Sequence, residues 1–263
     1  MIILVYLLLG AVAGLTAGLF GVGGGLVIVP ARILAFSFLD ISPLVLTQLA
    51  IGTSLATIVM TSISSVRAHH GYGNVDWALW LRLAPAIALG VVLGVYTAAG
   101  MAGSKLQLLF GLFAVLLGLQ MGLRLQPASG RAVPGLAGLG LAGTVIGYVS
   151  ALFGIGGGSL TVPFLSWCNI RMQRAVGLSA ACGLPIAVVG CLTNVQAGWG
   201  HEDLPQYSTG FVYWPAFVGI VLTSTLFAKA GAKLAQRLPE ARLKQAFALF
   251  LVVVGAQFIV RNI

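Results

Sequence analysis

The chain has 263 residues, of which 59% are hydrophobic and only 7% charged, with a mean hydropathy of +1.04. No soluble core encloses that much apolar side chain, and at about 20 residues per bilayer-crossing helix the length holds about eight spans, which excludes an extramembrane catalytic domain. The net charge of +9 comes mostly from Lys and Arg in short connections between apolar runs, where they read as orientation signals rather than as a nucleic-acid surface.

The first 20 residues contain no Lys or Arg, so they lack the positive start of a signal peptide and are read as mature protein. Residues 2–39 are too long for one span and are interrupted by Gly21-Val22-Gly23-Gly24-Gly25. Uncharged apolar runs follow at about 45–66, 83–99 and 106–123. Residues 132–170 then repeat the long, interrupted segment, with Gly154-Ile155-Gly156-Gly157-Gly158 at its centre, and further runs cover about 175–197, 209–228 and 245–260. The resemblance between halves is direct: GLTAGLFGVGGGLVIVP from Gly14 to Pro30 and GYVSALFGIGGGSLTVP from Gly147 to Pro163 share nine of 17 positions at a constant offset of 133. The predicted organisation is therefore one unit made twice, residues 1–125 and 126–263.

Four glycines in five residues form a poor helix interior, at about 1 kcal/mol each against Ala, so a chain reversal is expected at each motif. Charge distinguishes a reversing hairpin from a kinked single span. With single spans, Lys and Arg divide 9 to 5 between the two sides. With hairpins, Arg67, Arg82, Arg124, Arg131, Arg171, Arg174, Lys229, Lys233, Arg237, Arg242 and Lys244 share one side. Lys105 and Arg261 stand opposite, Arg32 lies within a hairpin arm, and Asp40, Glu202 and Asp203 join the poor side. The positive-inside bias favours the hairpins. The expected fold is an all-α integral membrane protein of two inverted repeats, each a Gly-broken helical hairpin plus three transmembrane helices, with both termini outside the cytoplasm. Trp77, Trp80, Trp199, Tyr207, Tyr213 and Trp214 fall at span ends, as interfacial anchors do. Cys168, Cys182 and Cys191 lack metal-ligand spacing and read as small core residues.

Inverted repeats with broken helices are the pattern of secondary transporters that hold a substrate near the midplane. The arm after each motif is predicted to be a short helix with its N-terminus pointing inward, where free N–H groups and the dipole favour an anion. The candidate binding residues are Gly21, Gly23, Gly24 and Gly25 in the first motif and Gly154, Gly156, Gly157, Gly158 and Ser159 in the second. Arg32 is added as a cation inside an arm, where snorkelling to the surface is the competing reading. Gln48 and Asn194 are added as polar residues in apolar spans that could line the pathway or a gate. No phosphate-binding Lys follows either motif, which argues against a nucleotide loop. No catalytic, metal-ligating or cofactor-binding residue is expected: the three His sit at span ends and no GxSG occurs, against an intramembrane hydrolase.

LFGVGGGLVIVP, LFGIGGGSLTVP and RAHHGYGNVDW together resemble the sulfite exporter TauE/SafE family, also called the toluene sulfonate uptake permease family, over nearly the whole length. The resemblance implies transport of sulfite, sulfonates or related organosulfur anions across the bacterial inner membrane. The residues themselves leave open a carrier of another small anion, such as a carboxylate, or a membrane assembly factor in which the glycines serve packing alone.

Overall fold

The structure is a computed structural model that describes residues 7–8, 10–12, 14–15, 25–37, 41–123, 132–235 and 240–263. Gly21, Gly23, Gly24, Asp40, Arg124, Arg131 and Arg237 lie outside these residues. The helices are α1 (Gly25–Ser37), α2 (Leu46–Gly71), α3 (Trp77–Ala99), α4 (Gly103–Gly122), α5 (Leu136–Leu152), α6 (Gly158–Trp167), α7 (Met172–Ala197), α8 (Trp214–Ala235) and α9 (Glu240–Asn262), and the described residues between 7 and 15 are also helical. Among the described residues, five segments are long and apolar enough to cross a membrane: α2, α3, α4, α7 and Gln245–Asn262 within α9. Leu81, Leu89 and Leu93 on α3, like Leu192 on α7 and Leu249 on α9, stay exposed, which suits a lipid-facing surface.

The helices run past the apolar runs that predict them. α2 continues through Arg67, His69 and His70, and α3 begins at Trp77, six residues ahead of the uncharged run. The Asp76 carboxylate caps α3 by accepting from the Leu79 N–H at 3.0 Å, so the start is fixed by capping rather than by hydropathy. The span expected at 209–228 begins instead with a short hairpin, β1 (Ser208–Thr209) paired antiparallel with β2 (Val212–Tyr213). Gly210, at φ 53°, opens its two-residue turn, a position that requires the left-handed region. α8 then starts at Trp214.

Helix directions follow from which small residues touch what. A Cβ built on Gly52 would lie 3.2 Å from Asn194 Cβ, one on Gly190 would lie 2.9 Å from Leu55, and one on Gly183 would lie 3.1 Å from Ser62 Oγ. α2 and α7 are therefore antiparallel. Gly111 meets Gly255 and Gly118 meets Ala248, so α4 and α9 are antiparallel too. α5 runs parallel to α3, with Gly143 against Leu83 and Ala86 and Gly94 against Tyr148. α3 is also parallel to α7, since Trp80 Nε1 donates to Ala181 O at 3.0 Å and Val91 packs at Gly190. Contacts of this kind let backbones approach where lipid supplies no hydrophobic drive. Gly10 meets Ile220 and Gly14 meets Ser224, which sets the N-terminal helical residues along α8.

Two of the expected interfacial aromatics have inward roles. Trp80 turns its indole to Ala181 O, a carbonyl left without its helical partner because Pro185 carries no N–H. Tyr213 packs edge-on to Phe36 at 5.9 Å. Trp199 and Tyr207 remain exposed. Cys168 and Cys182 are buried and Cys191 half-buried, and none forms a disulfide.

Gly255→Ala tests the glycine crossings. Its Cβ would stand 2.6 Å from Gly111 O and 3.0 Å from Val115 N, both backbone atoms, so the helices must separate, at a cost of about 1–3 kcal/mol. Thermal unfolding in detergent should show a lowered midpoint for this variant and no loss for Gly140→Ala, which meets nothing within 4 Å.

Candidate functional site

The second glycine motif is a chain reversal. α5 ends in a Schellman arrangement in which Ile155 N–H donates to Ser150 O at 2.9 Å and Gly154 N–H to Ala151 O at 3.3 Å, with Gly154 at φ 64°. α6 then leads away, and the turn at Asn169 (φ 60°) sends the chain into α7. Gly157 lies against Ser179 O and Gly183 N of α7. α6 is thus antiparallel to α7, whereas α5 is parallel to it through α3, so α5 and α6 form a returning hairpin. Phe153 fixes its tip to α4, stacked on Phe113 at 4.9 Å and edge-on to Phe110 at 5.7 Å.

The tip is deep. Residues 150–157 are buried, and Gly156 faces Ile58, near the middle of the 26-residue α2. Ser54 Oγ, one turn earlier, donates to Gly154 O at 2.9 Å. Among the described residues the amides of Gly156, Gly157, Gly158 and Ser159 have no backbone acceptor, as expected of residues that enter a helix. Among the described residues the hydroxyls of Ser150, near the end of α5, and of Ser159 and Thr161, in the first turns of α6, are buried without a hydrogen-bond partner, and Thr161 Oγ1 lies 3.4 Å from the Cβ position of Gly157. Buried donors left unsatisfied cost about 1–3 kcal/mol each.

Gly25, the last glycine of the first motif, touches this tip: a Cβ there would lie 2.7 Å from Ile155 Cα and 2.9 Å from Gly154 O. The structure thereby brings together Gly25, Gly154, Gly156, Gly157, Gly158 and Ser159. Arg32 does not snorkel. It is 1% exposed, and its guanidinium donates to Thr57 Oγ1 and, at 3.5 Å, to Ala50 O. Thr57 passes the bond on to Thr53 O, and Thr53 Oγ1 accepts from the Tyr213 N–H at 3.0 Å. Arg32 therefore ties α1 to the same stretch of α2 that flanks the tip.

Gln48 and Asn194 each have a backbone partner. Gln48 Nε2 donates to Met101 O at 2.8 Å and clamps the start of α2 to the corner between α3 and α4. Asn194 Nδ2 donates to Gly190 O within its own helix, while its backbone carbonyl accepts from the Phe211 N–H. Thr161, whose hydroxyl borders Gly157, is a polar neighbour of the tip that the sequence reading did not single out. Its signal was present as GSLT after the second glycine run, where the first run is followed by GLVI.

Transmembrane-length helices, a lipid-suited exterior and a buried polar reversal define a multi-pass α-helical membrane protein. The chain belongs to the sulfite exporter TauE/SafE family, whose profile matches residues 6–258. It is 40% identical over 257 residues to a probable membrane transporter protein of Haemophilus influenzae, covering 96% of each chain. It is 26% identical over 278 residues to the probable membrane transporter protein YunE of Bacillus subtilis, covering 98% of each. No solved structure matches. The protein is a membrane transporter with a small-molecule substrate, not an enzyme.

Replacing Arg32 by Met removes the donor to Thr57 and Ala50 at a fully enclosed position. The expected cost is about 2 kcal/mol of stability, read as a lower melting midpoint, with Arg32→Lys falling between Met and wild type.

Proposed function

We propose that the protein carries small sulfur-containing oxyanions, such as sulfite or organosulfonates, across the bacterial inner membrane by alternating access, with the anion held near the midplane at the glycine-rich tips. The observation that carries this reading is that, among the described residues, the amides of Gly156–Ser159 and the hydroxyls of Ser159 and Thr161 lack partners at the start of α6, on a tip that meets Gly25 of the other motif. Amides converging without Cβ atoms form a nest for anionic oxygens, and the α6 dipole adds to their pull. Gly21, Gly23 and Gly24 join from the first motif in this reading.

Two inverted repeats, residues 1–125 and 126–263, fit the helix directions. α2 opposes its counterpart α7, α4 opposes α9, and the N-terminal helical residues lie along α8 as α5 lies along α3. The described charges agree with the hairpin topology: Arg67, Arg82, Arg171, Arg174 and Lys233 sit toward one end of the bundle, and Lys105 and Arg261 toward the other. The rich end is the cytoplasmic one and both termini lie opposite. Two cavities lie toward opposite ends of the bundle. One of about 440 Å³, lined by Arg171, Arg174 and Asp76, opens at the rich end; one of about 500 Å³, lined by Ile33, Gln107 and Arg261, opens at the other. They are the vestibules between which one bundle rocks against the other. With a negative cell interior, an exported monovalent anion gains about 2.3 kcal/mol per 100 mV, so export needs no coupling ion.

Flux of labelled sulfite and a sulfonate from proteoliposomes at an imposed potential tests this reading, with outward rates expected to rise as the interior is made negative. Gly156→Ala separates a binding role from packing, because its Cβ would meet only Ile58 Cγ2 at 3.8 Å. Flux should fall while abundance and melting stay unchanged. Uptake of dicarboxylates in preference to sulfur oxyanions would reassign the substrate.

A further inference from the structure

The long helices α2 and α7 carry the same notch near their opposite ends. Ala50, Gly52 and Ser54 on α2 match Ala175, Gly177 and Ser179 on α7 in type and spacing, and each central glycine seats the backbone of a loop. A Cβ on Gly52 would strike the Phe211 carbonyl at the turn of the β1–β2 hairpin, and one on Gly177 would lie 2.5 Å from Asn74 O and 2.8 Å from Asn74 Cβ. Neither seat has room for a methyl. The hairpin belongs to the connection 198–213 that follows α7, and Asn74 to the connection 72–76 that follows α2. Because α2 and α7 are antiparallel, each loop folds over the start of the opposite helix. The loops match too, Gly71-Tyr72-Gly73 with Asp76 against Gly198-Trp199-Gly200 with Asp203. Between the two notches lies the buried tip, with Gly156 at Ile58 of α2 and Gly157 at Ser179 and Gly183 of α7.

Resting on the alternating-access reading above, we infer that these loops are paired gates: the 208–213 hairpin plugs the end of the α2–α7 pair opposite the cytoplasm, the Asn74 turn closes the cytoplasmic end, and they leave their glycine notches in alternation. The hairpin is built to move as one body. Its strands pair Ser208 with Tyr213 and Thr209 with Val212, and Trp214 Nε1 donates to Thr209 Oγ1 at 2.9 Å. Its hold on the helices is separate from these bonds: Phe211 N–H donates to Asn194 O at 3.1 Å and Tyr213 N–H to Thr53 Oγ1 at 3.0 Å, with Phe211 and Val212 buried. The mostly exposed residues 199–207 give it slack. The Asn74 turn is tied instead to its own helices, through Asn74 N–H to His69 O at 3.0 Å and the Asp76 cap of α3, so it leaves its notch only when α2 and α3 shift against α7. A carbonyl resting on glycine departs with no side chain at that point changing rotamer, which suits a contact that must open and close.

Val212→Cys, in full-length protein whose Cys168, Cys182 and Cys191 are replaced by Ala, reports the hairpin gate through its labelling by a membrane-impermeant maleimide added outside right-side-out vesicles. A methyl in either notch evicts the loop seated there, so Gly52→Ala should speed labelling about ten-fold. Gly177→Ala evicts the opposite loop, favours the state open to the cytoplasm and should slow it. Loss of packing alone would move both variants in the same direction, and that result, or no change in either, overturns the gates. A second arm needs neither glycine variant to fold. Thr53→Cys with Tyr213→Cys in the same background, bridged by a short bis-thiosulfonate, should stop flux of labelled sulfite from proteoliposomes, and reduction should restore it. Undiminished flux through the bridged protein overturns the hairpin gate. The labelling requires no substrate: a wild type that carries neither sulfite nor a sulfonate removes the proposed cargo, while opposite responses of Gly52→Ala and Gly177→Ala still uphold the gates.

Discussion

A chain that turns back on itself within the membrane must find partners for amides that water would otherwise satisfy, and this requirement shapes everything around the second glycine motif. The carbonyl side of the turn is closed by the Schellman bonds to Ser150 and Ala151 and by Ser54. Phe153 wedges the bend between Phe110 and Phe113. The amide side is left open from Gly156 to Ser159. Irregular backbone at such depth is tolerated only inside protein or at a cavity, and α2 and α7 provide that enclosure by crossing on either side of the tip.

The enclosure in turn depends on small residues. Gly52, Gly183 and Gly190 make room between α2 and α7 for the side chains of Asn194, Ser62 and Leu55, and Gly90, Gly94, Gly143 and Gly147 bring α3 and α5 into backbone contact. Side-chain hydroxyls then settle into local service: Thr53 bonds Leu49 O, Thr57 bonds Thr53 O, and Thr193 bonds Val189 O, the back-bonding usual for such residues in helices. Ser150, Ser159 and Thr161, like Ser208 and Ser224, have no such bond among the described residues.

Much of the architecture was legible because hydropathy, glycine spacing and the positions of Arg and Lys all act along the chain. α2, α3, α4, α7 and α9 fall where the apolar runs predict them; α2 continues past its run through Arg67, His69 and His70, and α3 starts ahead of its run at the Asp76 cap. The hairpin before α8 escaped notice because Phe211, Val212 and Tyr213 are as apolar as a span, and only the backbone conformation of Gly210 distinguishes them. At the site, the glycines were readable as a motif. Gln48 and Asn194 looked equally suitable by residue type, but what a polar side chain does in a span is decided by the carbonyl it happens to face. For Gln48 that is Met101 O, and for Asn194 it is Gly190 O.

Pro185 makes α7 two rods sharing one axis. The missing N–H at that level hands the Ala181 carbonyl to Trp80, so the joint is held by an indole from another helix rather than by its own ladder. Before Pro185, Ser179 and Gly183 lie against Gly157 while Gly183 also meets Ser62 of α2; beyond it, Gly190 and Asn194 meet Leu55 and Gly52. A single indole borrowed from α3 thus stands in for the missing rung midway between the seat of the tip and the far crossing.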